Sequence, residues 1–226
     1  MSTGTGWLAL VGGGEFSFGE TLEADRAWLE QTPPGPVGFV PAASGSLDYP
    51  RHFAAYLGET FGRTVETIPI YRPRDGKRGR NAERIAACAA VYLGGGIAEQ
   101  LVAAIAGTPA HEALRAKLAG GGVVVAIAAA AQACGACFKA LRGGRPEPGL
   151  ALVEGVAIEC NFDPAHDRRL RALLAVPGVE RGLGIPAGSA LLVGGDGRFA
   201  AVGDVFALAG AEGDLVPMMD EVTGAN

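Results

Sequence analysis

The sequence has no apolar stretch long enough to cross a membrane and no excess of positive charge. Gly and charged residues interrupt each hydrophobic run well before the roughly 20 residues that a membrane-spanning helix needs. The net charge is −5, whereas binding to nucleic acid through counterion release requires a basic face. The first residues also lack the basic and apolar regions of a secretory signal. We therefore expect a cytoplasmic protein that binds neither membranes nor nucleic acids.

Cysteine and histidine are scarce, with four and three residues. The cysteines fall in apolar segments, which is typical of buried, reduced thiols in cytosolic proteins. Cys134 and Cys137 form a CxxC pair inside a predicted helix, and no second pair or nearby His completes a zinc site. We interpret the pair as core packing and expect no metal. His52, His111 and His166 lie in polar helical surroundings, and we interpret them as surface residues.

Motifs for nucleotide cofactors are incomplete or missing. Gly12 and Gly14 could begin a dinucleotide fingerprint, but Ser17 stands at the third glycine position. The second predicted strand ends in Val-Pro, with no acidic residue for a ribose. The chain also has no Gly-Lys-Ser/Thr triplet for a phosphate loop. We therefore expect no cofactor.

Apolar runs of strand length alternate with helical patterns over most of the chain, including a predicted helix at residues 129–141. This alternation predicts a three-layer αβα fold with a mostly parallel central sheet. Short runs near the C-terminus, with Asp196-Gly197 as a hairpin turn, predict added antiparallel strands. No linker divides residues 1–226, so we expect one domain with its core at about 8–208 and a loosely held tail at 214–226.

Small residues follow four of the predicted strands, at positions 12–14, 41–45, 94–96 and 126–130. Such turns are also simple connections, but ligands of these folds bind at the carboxyl ends of strands, and small residues let a ligand approach the main chain. Together they predict a backbone-lined pocket. The basic stretch RPRDGKRGR (residues 72–80) follows another predicted strand. It is interpreted as a solvated loop, with the alternative that it extends over the pocket towards an acidic ligand.

The stretch VVVAIAAAAQACG (residues 123–135) predicts a buried strand, a tight turn and a helix. Many α/β hydrolytic enzymes place their nucleophile at such a turn. Here the turn consists of alanines and one isoleucine, and no serine occurs between Leu47 and Gly188. The sequence therefore has the pattern of a nucleophile elbow without a nucleophile.

These landmarks, in this order, resemble the cyanophycinase and dipeptidase E family of serine peptidases, whose fold is similar to class I glutamine amidotransferases. The likeness covers about residues 8–208. It includes LVGGGEF (10–16), VPAASG (40–45), YLGGG with a later GTP (92–96, 107–109) and GLGIPAGSALLV (182–193). The resemblance implies that the elbow serine falls at Ala128.

The other departures from the family pattern also fall on the chemistry. The resemblance puts the base histidine at Asn161 and the acid that orients it at Ala187. It puts the Asn/Asp-Gln pair of the family's glycine turn at Gly96-Ile97. It further implies an oxyanion hole from the backbone N–H groups of Gly95 and Ala129. The residues predicted to line an anion-binding pocket are Gly13, Gly14, Gly94, Gly95, Gly96 and Ala129.

Three hypotheses for function follow. The first is a non-catalytic peptidase-like protein that binds a small acidic peptide or a carboxylate in the former active-site cleft. The second is a hydrolase with relocated chemistry at Cys134, Cys160 or Ser189, which would need a base within hydrogen-bond reach. The third is a structural or partner-binding subunit, and the resemblance implies a homodimer.

Overall fold

The structure is a computed structural model that describes residues 6–218. Its main sheet has seven strands: β1 (Trp7–Val11), β2 (Val37–Val40), β3 (Val65–Thr67), β4 (Ala90–Leu93), β5 (Val123–Ile127), β10 (Ala190–Gly194) and β11 (Phe199–Val202). A second sheet has six: β6 (Cys137–Lys139), β7 (Pro146–Pro148), β8 (Val156–Cys160), β9 (Arg181–Ile185), β12 (Phe206–Ala209) and β13 (Leu215–Pro217).

The main sheet has the order β11-β10-β1-β5-β4-β2-β3. The five neighbouring strands β1, β5, β4, β2 and β3 are parallel. At the β1 side, β10 pairs antiparallel with β1, and β11 pairs antiparallel with β10. The hairpin predicted at Asp196-Gly197 joins β10 to β11. The expected mixed α/β fold, with a mostly parallel main sheet and short antiparallel strands near the C-terminus, is confirmed.

Helices cover both faces of the main sheet because its strands are apolar on both sides. Ala9 and Val11 of β1 join a core with Trp28 and Phe53, whereas Leu8 and Leu10 face the opposite core. The helices are α1 (Leu22–Glu30), α2 (Tyr49–Phe61), α3 (Pro73–Gly76), α4 (Gly79–Ala87), α5 (Ala98–Ile105), α6 (Pro109–Ala119), α7 (Ala129–Cys134) and α8 (Arg168–Leu174). The first core lies under α1 and α2, and the second under α4 to α7.

Two local predictions were wrong in extent. The helix expected at residues 129–141 ends at Cys134, and the chain turns through Gly135 into β6, which pairs with β7 and β8. The first residues of the expected tail, Leu215–Pro217, form β13 and pair with β12, so they are held in the second sheet. Residues 219–226 of that tail lie outside the described residues. None of the helices within residues 6–218 is both long and apolar enough to cross a membrane.

Candidate active-site cleft

The site lies where β1, β5 and β4 end side by side on one edge of the main sheet. The turn after β5 is sharp: Ala128 has φ 52° and ψ −119°, and its carbonyl accepts the N–H of Gln132 as α7 begins. Residues other than Gly seldom adopt a positive φ, because the Cβ atom crowds the backbone. Among the described residues only Ala128, Ala151 and Asn161 do so without being Gly. The turn therefore has the strained strand-to-helix form of a nucleophile elbow.

Three consecutive carbonyls, at the end of β1 and just after it, accept hydrogen bonds from the segments that carry the expected triad positions. The N–H of Ala128 donates to Val11 O at 2.8 Å, and the N–H of Asn161 donates to Gly12 O at 2.7 Å. The N–H of Gly188, next to the third position, donates to Gly13 O at 3.0 Å. Main-chain bonds thus bring the three segments to one place, although they lie far apart in the sequence.

The side chains at these positions have little chemical reactivity. Ala128 presents a half-buried methyl group, and Ala187 is exposed. Asn161 is exposed and has φ 48°, a conformation that Asn tolerates better than most residues. Its neighbour Phe162 packs on Gly184 in the second sheet, so that ring does not fill the cleft.

A cavity of about 400 Å³ opens beside Ala128, and we call it the elbow cavity. Its polar side chains come from the loop after β1 and from the start of α2. The sequence indicated Glu15 only as part of LVGGGEF and His52 only as a surface residue, and it did not indicate that they would meet Ser46, Asp48 and Tyr49 in one cavity. The cavity is lined by Gly14, Glu15, Phe16, Ser46, Asp48, Tyr49, His52, Gly95, Ile127 and Ala128.

The elbow cavity carries two carboxylates and one imidazole. Glu15 is held by neighbouring donors, with its Oε1 accepting from the Ser17 hydroxyl at 3.1 Å. Asp48 pairs with Arg51 at 3.1 Å on the exposed side of α2. His52 is exposed, as predicted, yet it lines this cavity. The cavity is therefore better suited to a cationic group than to an anionic one.

A second cavity of about 550 Å³ lies on the other side of Gly96 and Ala129, and we call it the Lys139 cavity. Lys139 and Arg169 supply positive charge there. Glu159, nearly buried, pairs with Arg169 at 3.2 Å, and burial raises the pKa of this carboxyl. Glu99 also lines this cavity, with its Oε1 accepting the N–H of Leu141 at 2.6 Å, so two cations and one carboxylate face it, whereas two carboxylates and one imidazole face the elbow cavity.

Gly95 lines the elbow cavity, next to Gly96 of the Lys139 cavity, and carries one of the expected oxyanion donors. Its backbone hydrogen bonds to the hydroxyl oxygen of Tyr49, whose pKa is raised by burial to about 12. A Cβ atom added to Gly95 would lie 3.8 Å from the Cβ of Ala128, an ordinary contact distance. Gly95 is therefore close to the elbow without being required there by packing.

The other glycines predicted to line the pocket divide into two groups. Gly14 lines the elbow cavity and Gly96 lines the Lys139 cavity, whereas Gly13 and Gly94 are buried and line neither. Gly13 has φ 136°, and a Cβ atom on Gly94 would come within 2.5 Å of the Phe39 ring. At these two positions glycine reflects backbone conformation and packing, which corrects the expectation of pocket lining.

The nucleophiles of the relocated-chemistry hypothesis are buried. Cys134 and Cys160 are free thiols in the core; burial raises the pKa of Cys134 to about 12 and that of Cys160 further. Ser189 is buried with its hydroxyl close to Gly203. A thiol that stays protonated is a weak nucleophile. Cys137 is also buried, in agreement with the core-packing interpretation of the CxxC pair.

The histidines outside the cleft have separate roles. His111 is half-buried rather than solvated, and its Nε2 lies 2.8 Å from Leu150 O, so it links α6 to the loop before β8. His166 is exposed, with its Nδ1 2.7 Å from Asp163 Oδ2. In the part of the chain that the structure describes, no group of three or more His, Cys, Asp or Glu side chains could hold a metal ion.

Comparisons with known proteins agree with this fold. The chain is similar in fold to a peptidase from an acI-B1 Actinobacterium, with a TM-score of 0.79 at 20% identity over 96% of both chains. It is also similar to a Listeria monocytogenes EGD-e protein described as a candidate peptidase E, with a TM-score of 0.62 at 15% identity, covering 87% of this chain and 97% of that one. No curated protein matched the sequence. The model of peptidase family S51 matches residues 8–200, nearly the whole domain that carries the elbow and both cavities, and the chain is therefore a member of peptidase family S51.

Proposed function

We propose that this chain is a non-catalytic member of its family that binds a small acidic peptide in the former active-site cleft. One observation carries the proposal. The Val11, Gly12 and Gly13 carbonyls hold the three triad segments together, while the side chains presented there are two methyl groups and one amide. The framework of the site is present without the groups that would perform the reaction.

The missing side chains are the nucleophile and the base on which a serine peptidase depends. A methyl group at Ala128 has no atom to attack a carbonyl, and the Asn161 amide does not accept a proton near neutral pH. Triad members act as a unit, so the loss of one already removes most of the acceleration that the triad supplies. Replacement of all three leaves no basis for turnover by the family's mechanism.

The charges of the cleft favour a peptide that carries both signs. Glu15 and Asp48 in the elbow cavity would attract a free amino group, and Lys139 and Arg169 in the other cavity would attract a carboxylate. The backbone N–H groups of Gly95 and Ala129, between them, would bind a carbonyl or carboxylate oxygen. Because α7 has only six residues, we assign this attraction to the two N–H groups and not to a helix dipole.

The experiment is product analysis by mass spectrometry with acidic and β-aspartyl dipeptides. The wild type is compared with the triple variant Ala128→Ser, Asn161→His, Ala187→Glu, which puts the family's reactive side chains on the same backbone. Isothermal titration with the same dipeptides measures binding by the wild type directly. We expect heat of binding but no cleavage by the wild type, and cleavage by the triple variant.

Each other outcome has a defined meaning. Cleavage by the wild type that is absent from a blank preparation contradicts the proposal. No heat at millimolar dipeptide shows that the cleft does not bind such ligands. Binding without cleavage by the triple variant leaves the wild-type assignment in place and shows that the triad segments are no longer spaced for catalysis.

A further inference from the structure

The basic segment at residues 72–80 is a fixed part of the fold. It forms α3 and the start of α4, and buried Asp75 organises it. The Asp75 Oδ2 accepts the N–H groups of Tyr71 at 3.2 Å and Arg72 at 3.1 Å, while its Oδ1 lies 3.4 Å from Arg78 Nη1. The side chain of Asn81, which lies inside α4, donates to Asp75 O at 2.9 Å. The cations of this segment therefore project from a rigid support.

Two of these arginines line a cavity of about 470 Å³, which we call the Arg72 cavity. Among the ion pairs found within residues 6–218, none involves Arg72, and Arg74 lies 3.9 Å from an Asp75 carboxylate that other donors already occupy. Leu47, which is 70% exposed, and Tyr71 supply an apolar wall. Asp75 also lines the cavity, but its oxygens accept the N–H groups of Tyr71 and Arg72 and lie close to Arg78. The cavity therefore offers two guanidinium groups beside an apolar surface, in a protein whose net charge is −5.

The Arg72 cavity adjoins the cleft through the loop after β2. Gly45 and Leu47 of this loop line the Arg72 cavity, whereas Ser46 and Asp48, which alternate with them, line the elbow cavity. The loop is held in place because Ser46 Oγ accepts the N–H groups of Asp48 at 3.2 Å and Tyr49 at 3.1 Å. A single turn of chain thus forms the wall between the two cavities.

We propose that the Arg72 cavity is an extension of the cleft that binds an acidic side chain of a longer peptide, so that the ligand class is acidic oligopeptides. The inference rests on the proposed function for the position of the peptide at Gly95. A guanidinium group binds carboxylates through two parallel hydrogen bonds, which gives geometric selectivity as well as attraction. Leu47 and Tyr71 would contact the hydrocarbon part of a glutamate side chain while Arg72 and Arg74 bind its carboxylate.

The test is isothermal titration with matched peptides. One set comprises tetrapeptides with a central Asp-Ala and one glutamate, placed at the first position or at the last. In the second set glutamine replaces that glutamate, and the dipeptide Asp-Ala is the short reference. The variant Arg72→Gln, Arg74→Gln removes two charges from the cavity. The variant Lys77→Gln, Arg80→Gln removes two charges from the same segment at positions that do not line the cavity. Circular dichroism and thermal unfolding verify that both variants are folded.

We expect the wild type to bind at least one glutamate peptide about tenfold more tightly than its glutamine counterpart, the effect of one charged hydrogen-bonded contact. The Arg72/Arg74 variant should lose this preference and keep its affinity for Asp-Ala, and the Lys77/Arg80 variant should keep both. Equal binding of glutamate and glutamine peptides by the wild type overturns the inference. Equal weakening by both variants also overturns it, since this would show a general electrostatic field.

The failure of the proposed function gives a different pattern. If the wild type does not bind Asp-Ala but still prefers a glutamate peptide through Arg72 and Arg74, the Arg72 cavity is an independent binding site and the proposed function of the cleft is wrong. If it binds Asp-Ala without any preference among the tetrapeptides, the cleft binds peptides and the extension is refuted.

Discussion

Replacing Ala128 by Gly should stabilise the protein, although most Ala→Gly substitutions destabilise. Ala128 has φ 52° and ψ −119°, a conformation that Gly adopts without steric conflict. Holding another residue there costs about 1–3 kcal/mol. Gly has more conformational freedom in the unfolded chain, which offsets about 0.5–1 kcal/mol of the relieved strain. Loss of the half-buried methyl group offsets less than about 0.8 kcal/mol more.

The balance is a gain of about 1 kcal/mol in the free energy of unfolding, equivalent to a rise in Tm of about 2–4 °C for a chain of this size. Chemical denaturation followed by circular dichroism measures it. The matched control is Ala130→Gly, two residues later and buried inside α7 with ordinary helical geometry. There the same change should destabilise by about 1–2 kcal/mol through lost helix propensity and packing.

The two variants must change stability in opposite directions. Destabilisation by Ala128→Gly as large as that by Ala130→Gly would refute the reasoning, because it would show that the turn after β5 is not strained. A result in the expected direction would show that the chain retains a strained elbow at a position where no nucleophile requires it.

Four further predictions follow, two on the cleft, one on a buried carboxyl and one on a buried thiol. Gly95→Ala should fold normally, since its Cβ makes only ordinary contacts, but should weaken dipeptide binding in titrations, whereas Gly94→Ala should lower Tm through its clash with an aromatic ring. Tyr49→Phe should tighten dipeptide binding by freeing the Gly95 backbone donor, and unchanged affinity would contradict this. Burial raises the pKa of Asp25 above its ordinary 3.8. The contribution of this carboxyl to stability is therefore greatest below that pH and is lost as the pH rises. The free energy of unfolding of the wild type, relative to that of Asp25→Asn, should decrease between pH 4 and 7. Cys160 should react with iodoacetamide far more slowly in the native protein than in the unfolded one, and equal rates would restore the relocated-thiol hypothesis.

Much of the main sheet could be predicted because its strands are buried on both faces and read as continuous apolar runs. The bounds of β2, β4 and β5 coincide with those runs. The second sheet could not be predicted as easily. In β9, Gly182 lies against Leu170 and Gly184 lies against the Phe162 ring, so glycines that usually weaken a strand are required here by close packing.

The end of α7 shows a similar limit. An alanine-rich run predicts a helix that continues, because alanine has the highest helix propensity. The chain leaves the helix after Cys134 because residues beyond Gly135 pair with β7, across a short loop, and with β8, further along the chain. Tertiary pairing overrides local propensity at this point.

The cleft was predictable only in its backbone. Turns of small residues, and the family resemblance, indicated Ala128, Asn161 and Gly95. The charged residues of the elbow cavity come from two loops: Glu15 follows the glycine turn of LVGGGEF, whereas no motif or periodicity marks Asp48. Their convergence depends on the order of strands in the sheet, which the sequence pattern alone does not specify.

The carbonyls of Val11, Gly12 and Gly13, at the end of β1 and just after it, have a consequence for how such a protein evolves. Each of these carbonyls accepts a hydrogen bond from a main-chain N–H group, and every residue except proline has such a group. The bonds are therefore insensitive to which side chains occupy Ala128 and Asn161. Selection for a stable fold would preserve the arrangement equally well with reactive or inert side chains, and a lineage could lose or regain hydrolysis by a few substitutions without rebuilding its architecture.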